Sequence, residues 1–254
     1  MSYSIAHTSI GAGDSAMDVT LDSIRDIQLY QPAKGYRFSV DALLLFEFVN
    51  LKTVRNIADL GAGSGIVGIL LAKRYPHSQG TLFELQESLV SLAEKNTALN
   101  RIHDRVKVVK CDLRNRALLS SPSRQFDLVV SNPPFRTCKS GLLNIEEEKA
   151  IARHEIMLKL DELAAAAAAL LKIRGRFCLI HHPNRLVELI VALKKRGMEP
   201  KRLRFVHSSP ATEAKMVLIE AVKGGRTGLK VEKPSYIYKK DGSYTDEMKA
   251  VYIL

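Results

Sequence analysis

The chain has 254 residues, 46% hydrophobic and 26% charged, a balance that excludes a disordered or fibrous protein and suits one large domain or one domain with small appendages. Its 38 Lys and Arg against 27 Asp and Glu give a net charge of +11, and no apolar run reaches the roughly 18 residues a membrane span needs. Cys111, Cys138 and Cys178 stand far apart without CxxC spacing, which argues against a disulfide framework or a structural zinc site and fits a reducing cytoplasm. The N-terminus has no basic segment leading into an apolar stretch, so no secretory signal is expected.

Residues 1–17 are small and polar and are expected to be a loose leader. Val19, Leu21, Ile24, Ile27 and Leu29 alternate imperfectly with charged residues, as in a short hairpin. Pro32 and Gly35 punctuate the chain before a helix expected over 41–49. Short apolar runs then alternate with longer amphipathic ones. Strands are expected at 56–60, 80–85, 105–110 and 126–131, and helices at 66–75, stopped by Pro76, and 86–100. Asp161 is placed to cap a helix through 172, whose six consecutive alanines favour a helix packed closely against a sheet. A strand at 175–181, a helix at 184–196 closed by Gly197, and strands at 201–207 and 216–222 follow.

Strands separated by helices of ten to fifteen residues imply an α/β fold: a doubly wound, Rossmann-like, mostly parallel sheet with helices on both faces and an antiparallel final strand. The expected division is a leader (1–17), an N-terminal extension (18–50), a catalytic domain (51–223) and a basic tail (224–254).

Charge is uneven. Residues 1–60 carry five Lys and Arg against seven Asp and Glu, whereas 172–240 carry seventeen against five. Such a surplus reads either as a solvated surface or as a face for a polyanion, most plausibly nucleic acid.

Asp59-Leu-Gly-Ala-Gly-Ser-Gly65 lies between the first βα strand and its helix. Gly61, Gly63 and Gly65 allow a tight turn on which a ligand can rest directly. Gly63-Ser-Gly-Ile-Val-Gly68 also satisfies GxGxxG, so a nicotinamide-dependent oxidoreductase is a competing reading. Asp59 would repel the pyrophosphate of a dinucleotide there, but would attract the ammonium and sulfonium of S-adenosylmethionine. Glu84, ending the second strand, suits the ribose hydroxyls. Asp112, just past the third, suits the adenine amino group.

Asn132-Pro133-Pro134-Phe135 ends the fourth strand in a stiff elbow. The prolines remove two backbone donors and leave carbonyl acceptors, which join the Asn132 side-chain oxygen in offering acceptors to an NH2 group. Phe135 offers a surface for a planar base or amide. An exocyclic amino nitrogen is a poor nucleophile because its lone pair is delocalised into the ring. Accepting both its hydrogens in fixed directions favours a tetrahedral nitrogen, and positioning then does most of the work.

The glycine loop together with the Asn-Pro-Pro-Phe elbow resembles class I S-adenosylmethionine-dependent methyltransferases of the amino-methylating kind. Gln31-Pro-Ala-Lys-Gly-Tyr-Arg-Phe-Ser-Val-Asp-Ala-Leu-Leu-Leu45, Arg153-His-Glu155 and the late Pro234-Ser-Tyr-Ile-Tyr…Gly242-Ser-Tyr-Thr245 are similar to the bacterial tRNA1(Val) adenine-N6 methyltransferase family. The resemblance covers about residues 18–245. It implies S-adenosylmethionine as cofactor, held by Asp59, Gly61, Gly63, Gly65, Glu84, Asp112 and Asn132. Arg37, Phe38 and Ser39, after Tyr36, would close over the methionine part. Asn132, Pro133, Pro134 and Phe135 would hold a tRNA adenine beside the anticodon. Guanine-N2 and protein-glutamine methyltransferases share the elbow, so these acceptors remain open, as does a non-catalytic RNA-binding module. Ser235 stands where the resemblance leads one to expect a second proline.

Arg136, Lys139 and Arg153, in the long connection after the elbow, are candidate phosphate contacts, as are Lys194-Lys195-Arg196, Arg202 and Arg204. Each reads equally as solvated surface. His181-His182 has no further ligand nearby and reads as a structural pair, so no metal is expected. Neither oligomeric state nor the precise nucleotide follows from the sequence.

Overall fold

The computed structural model describes residues 6–9, 18–33, 40–115, 125–133 and 158–252. A three-stranded antiparallel sheet comes first, with β1 (Ala6–Ser9), β2 (Asp18–Ile24) and β3 (Ile27–Pro32) side by side in that order. The hairpin forms because Ile24 pairs with Ile27 across a two-residue turn, Arg25-Asp26, with Arg25 at φ 54°. β1 falls inside the stretch expected to be a loose leader, yet it pairs with β2 from Ala6 opposite Leu21 to Ser9 opposite Asp18.

The main sheet has nine strands: β4 (Asn56–Leu60), β5 (Gln79–Glu84), β6 (Val106–Lys110), β7 (Phe126–Ser131), β8 (Leu171–His181), β9 (Met198–His207), β10 (Ala214–Lys223), β11 (Lys230–Val231) and β12 (Ser235–Tyr236). Their order is β11-β9-β10-β8-β7-β4-β5-β6, with β12 also against β9. β8, β7, β4, β5 and β6 run parallel. β10, the last long strand, inserts between β8 and β9 antiparallel to both, as expected of the final strand. The winding direction reverses at β4, so the crevice for a ligand opens at the carboxyl ends of β4 and its neighbours.

β4, β5, β7 and β8 bury side chains on both faces. One face carries α1 (Val40–Phe48), α2 (Ile66–Arg74), Ala93 of α3 (Glu87–Leu99) and the C-terminal α6 (Asp246–Tyr252), packed on Ile57, Leu82, Leu128, Val130 and Ile180. The other carries α4 (Leu160–Leu170) and α5 (Leu186–Lys195) on Ala58, Leu60, Phe83, Val129 and Phe177. Ala164, Ala166 and Ala167 of the alanine run are buried there, which lets α4 approach the sheet closely.

α1 has no basic residue in its last turn. Its terminal carbonyls are met from afar: Arg74 donates to Phe46 O at 2.7 Å and to Val49 O at 2.9 Å, with its guanidinium 3.5 Å from the Phe46 ring centroid.

Several boundaries differ from the expected ones. α4 starts at Leu160, with Asp161 in its first turn; the cap position is Lys159, whose N–H donates to Glu162 Oε2 at 2.7 Å. β8 begins at Leu171, four residues early, because a register shift against β7 carries Lys172, Ile173, Arg174 and Gly175 between the pairs Phe126–Leu171 and Leu128–Arg176. The tail adds β11, β12 and α6, fastened by Ser235: its hydroxyl is 2.8 Å from Glu247 Oε1, a contact proline could not make.

Candidate active site

β4 runs into the glycine loop, where Gly61, Gly63 and Gly65 have φ of 71°, 58° and 90°, a region that disfavours any side chain. The amides of Gly61 and Ala62 both donate to Phe83 O, at 2.9 and 3.0 Å, folding the loop over the end of β5. Gly68, which the sequence offered only as the last glycine of GxGxxG, has a packing role. A Cβ there would stand 2.1 Å from Leu82 Cδ2, so α2 lies nearer the sheet than a side chain permits.

Three carboxylates follow on three adjacent strands. Asp59 is only 2% exposed, beneath the loop, where its Oδ2 accepts the Gly68 amide at 2.9 Å. Burial pushes its pKa up to about 7, opposed by that hydrogen bond and reinforced by the Glu84 charge. The expected full negative charge at the loop surface is therefore corrected to a buried, half-ionised group at neutral pH. Glu84, also buried, accepts the Gly63 amide on Oε2 at 2.8 Å and those of Leu85 and Gln86 on Oε1 at 2.8 and 3.0 Å. Asp112 lies at the rim; hydrogen bonds from the Arg114 side chain and amide hold its carboxyl below the usual range.

The elbow stands beside this loop. Asp59 pairs with Val130 in the parallel register of β4 and β7, so Asn132 leaves the sheet next to the strand that leads into the glycine loop. The Ser131 hydroxyl donates to Leu60 O at 2.8 Å and fixes that alignment in the buried seam. Asn132 and Pro133 are half-buried at the carboxyl edge. Arg37, Phe38, Ser39, Pro134, Phe135, Arg136, Lys139 and Arg153 lie outside the described residues.

This donor set fits S-adenosylmethionine. A Cβ on Gly61 would meet nothing within 4 Å, so the loop surface is open to a ligand. Glu84 Oε2 has accepted one of its two possible hydrogen bonds, and Asp112 is accessible.

A feature the sequence reading missed holds the hairpin against this loop. Asn96, fully buried on α3, accepts the Tyr30 amide on Oδ1 at 2.7 Å and donates through Nδ2 to Tyr30 O and Ser64 O, both at 2.9 Å. One turn later Asn100 accepts the Gln28 amide at 3.1 Å and donates to Gln28 O at 2.7 Å. Two asparagines at i and i+4 thus match alternate residues of β3. Two amides on an otherwise apolar helix face were the available signal.

The expected phosphate-contacting cations separate into groups. Arg202 is turned inward: it donates to Glu220 and Glu232 at 2.8 Å each and to Phe48 O at 3.3 Å, 4.4 Å from the Phe48 ring centroid. Arg204 donates to Glu232 and, at 3.4 Å, to Glu247. These two serve the interior of the fold rather than a surface patch. Lys194 pairs with Glu199 at 3.1 Å, and Arg196 and Lys195 pair with Asp161 at 2.6 and 3.6 Å. His181 is buried and accepts the His182 amide on Nδ1 at 2.8 Å; burial drives its pKa down to about 4, so it is neutral. Among the described residues no group of three His, Cys, Asp or Glu is placed to hold a metal, and no helix is long and apolar enough to cross a membrane.

Residues 38–190 match the family model described as methyltransferase small domain. A relative from Porphyromonas gingivalis, named tRNA1(Val) (adenine(37)-N6)-methyltransferase, is 30% identical over 80% of this chain and 81% of its own. One of the same name from Pedobacter heparinus is 27% identical over 89% of this chain and 94% of its own. Among solved structures, a predicted O-methyltransferase from Agrobacterium tumefaciens superposes with a TM-score of 0.67 at 24% identity, covering 84% of this chain and 95% of that one, a likeness of fold. The chain thus belongs to the methyltransferase small domain family, built on the class I S-adenosylmethionine-dependent methyltransferase fold.

Proposed function

We propose that the chain methylates the N6 amino group of an adenine in tRNA, with S-adenosylmethionine as donor, and that the base is adenine 37 of tRNA1(Val). The observation that carries this reading is the pairing of Asp59 with Val130 and the Ser131–Leu60 bond beyond it, which join the strand entering the glycine loop to the strand ending at Asn132. Relatives over four-fifths of the chain bear the name of that activity.

In this reading Glu84 and Asp112 hold the ribose and adenine of the cofactor, the glycine loop lies under it, and Asp59 stiffens the loop from below. The hairpin and α1 belong to the N-terminal extension (18–50), whose Arg37, Phe38 and Ser39 are assigned to the methionine part of the cofactor. S-adenosylmethionine, when bound, supplies the electrophilic methyl group. The Asn132 side-chain oxygen and the Pro133 carbonyl accept the two hydrogens of the target amine, and Phe135 stacks on its ring. The nitrogen lone pair is thereby directed at the donor, and the proton leaves to solvent after the bond forms, with no histidine base. An adenine in an anticodon loop is outside a duplex, so turning it into the pocket costs little. A tRNA substrate places the protein in the cytoplasm.

The test incubates the protein with labelled S-adenosylmethionine and, separately, unmodified tRNA, ribosomal RNA and protein extract, then identifies the labelled product. Label in N6-methyladenosine from tRNA is expected. Label in N2-methylguanosine or N5-methylglutamine would replace the substrate. RNA binding without any transfer would replace the activity.

A further inference from the structure

At the amino edge of the sheet, opposite the elbow, a cleft of about 550 Å³ is lined by Arg174, Arg176, Lys201, Val222, Gly225 and Arg226. At about 3.3 Å per residue, Arg176 lies roughly 17 Å down β8 from His181 at the carboxyl edge. Among the described residues no acid lines this cleft. Glu220 lies buried behind it, paired with Arg176 and shared with Arg202, while the nearby Glu199 is held by Lys194. Lys201 Nζ donates to Arg226 O at 3.1 Å. Among the described residues the guanidinium groups of Arg174 and Arg226, both exposed, make no ion pair. Here the cationic surplus of the second half of the chain stays uncompensated.

Two separate backbone irregularities deliver these cations. Lys201 is the extra residue of a bulge in β9, between the pairs Glu220–Arg202 and Ala221–Pro200. Arg174 lies in the extra segment of β8 at φ 69°, a conformation that disfavours a side chain. Glycine would relieve that cost, yet an arginine stands there, its charge turned to the cleft. Converging guanidinium and ammonium groups recognise phosphate oxygens through charge-assisted and bidentate hydrogen bonds.

We propose that this cleft is a second anion site, separate from the methyl-transfer site, that takes consecutive phosphate groups, whether of an RNA backbone or of a free oligophosphate. The inference does not depend on the identity of the methyl acceptor. The test measures binding of two probes to the full chain, tripolyphosphate and a 12-nucleotide single-stranded RNA, by calorimetry and fluorescence anisotropy across a salt series. The double variant Arg174→Glu, Arg226→Glu is expected to lose tenfold or more in affinity while S-adenosylmethionine binding stays unchanged. With RNA, losing two cations should flatten the salt slope by about 1.4, at about 0.7 per phosphate contact. A loss confined to RNA assigns the backbone as occupant; a loss confined to tripolyphosphate assigns the free anion. Arg174→Gly should raise the melting temperature and still weaken the anion, a combination that a purely structural arginine would not produce. Unchanged affinity for both probes in the double variant overturns the site and leaves the methyl-transfer reading untouched.

Discussion

The Ser131 hydroxyl donates to the Leu60 carbonyl at 2.8 Å, joining the last residues of two neighbouring parallel strands. One strand continues into the glycine loop and the other into Asn132, so in the proposed mechanism this bond sets the spacing between the loop under the cofactor and the residue that grips the acceptor. Ser131→Ala leaves Leu60 O without that partner in a dry seam and should cost about 1–2 kcal/mol. Small misplacements of reacting groups slow transfer strongly, so kcat should fall about tenfold with cofactor affinity little changed. Urea melts and single-turnover methyl transfer measure the two effects.

In the proposed mechanism Asn132→Ala removes the side-chain acceptor for the target amine. Methyl transfer should become undetectable while S-adenosylhomocysteine binds within about threefold of the parent, since donor-side contacts come from the other strands. Normal turnover in this variant would refute the amine-gripping mechanism.

If Asp59 lies under the cofactor as proposed, binding should depend on pH. With a pKa of about 7 it is largely protonated at pH 6 and ionised at pH 8. A cationic ligand prefers the ionised form, so S-adenosylmethionine affinity should rise about tenfold between those values, as the ionised fraction does. Asp59→Asn should flatten the profile in calorimetric titrations.

Stability carries two opposing slopes. The folded pKa of Asp59 is raised from 3.8 to about 7, so its contribution is full below pH 3.8 and lost as pH rises through 7. The folded pKa of His181 is lowered from 6.5 to about 4, so its contribution is present above pH 6.5 and lost as pH falls through 4. Between pH 4 and 6.5 they offset each other. Asp59→Asn should therefore expose the His181 slope, with stability rising more steeply with pH in denaturant titrations across that range.

Arg202→Ala should act on stability. It takes one of two cations from Glu220, which is 1% exposed, and leaves Glu232 to Arg204 alone, at a cost of about 3 kcal/mol. The salt dependence of RNA binding should not change, which filter binding at several ionic strengths would reveal.

The parallel core was legible because β4, β5 and β7 are short apolar runs bounded by glycine, proline or acid, and helices of ten or so residues lie between them. The glycine loop and elbow were legible for the same reason, each being contiguous in sequence. β8 was read short because its bulge carries Lys172 and Arg174, whose charges mask a strand pattern. The ion pairs of Arg202 and Arg204 were not legible because their partners, Glu220 and Glu232, come from a later strand and the tail, and a lone cation carries no mark of what it faces. The charge state of Asp59 was hidden likewise, since burial depends on how closely Gly68 lets α2 settle.

The amides of Asn96 and Asn100 have one more effect. β3 is the terminal strand of its small sheet and would otherwise present bare N–H and C=O groups at Gln28 and Tyr30 to any extended chain nearby. Because the helix side chains occupy those groups, no foreign peptide can zip onto this border. Losing both amides would unblock it, leaving the protein prone to run-on polymerisation through its N-terminal sheet.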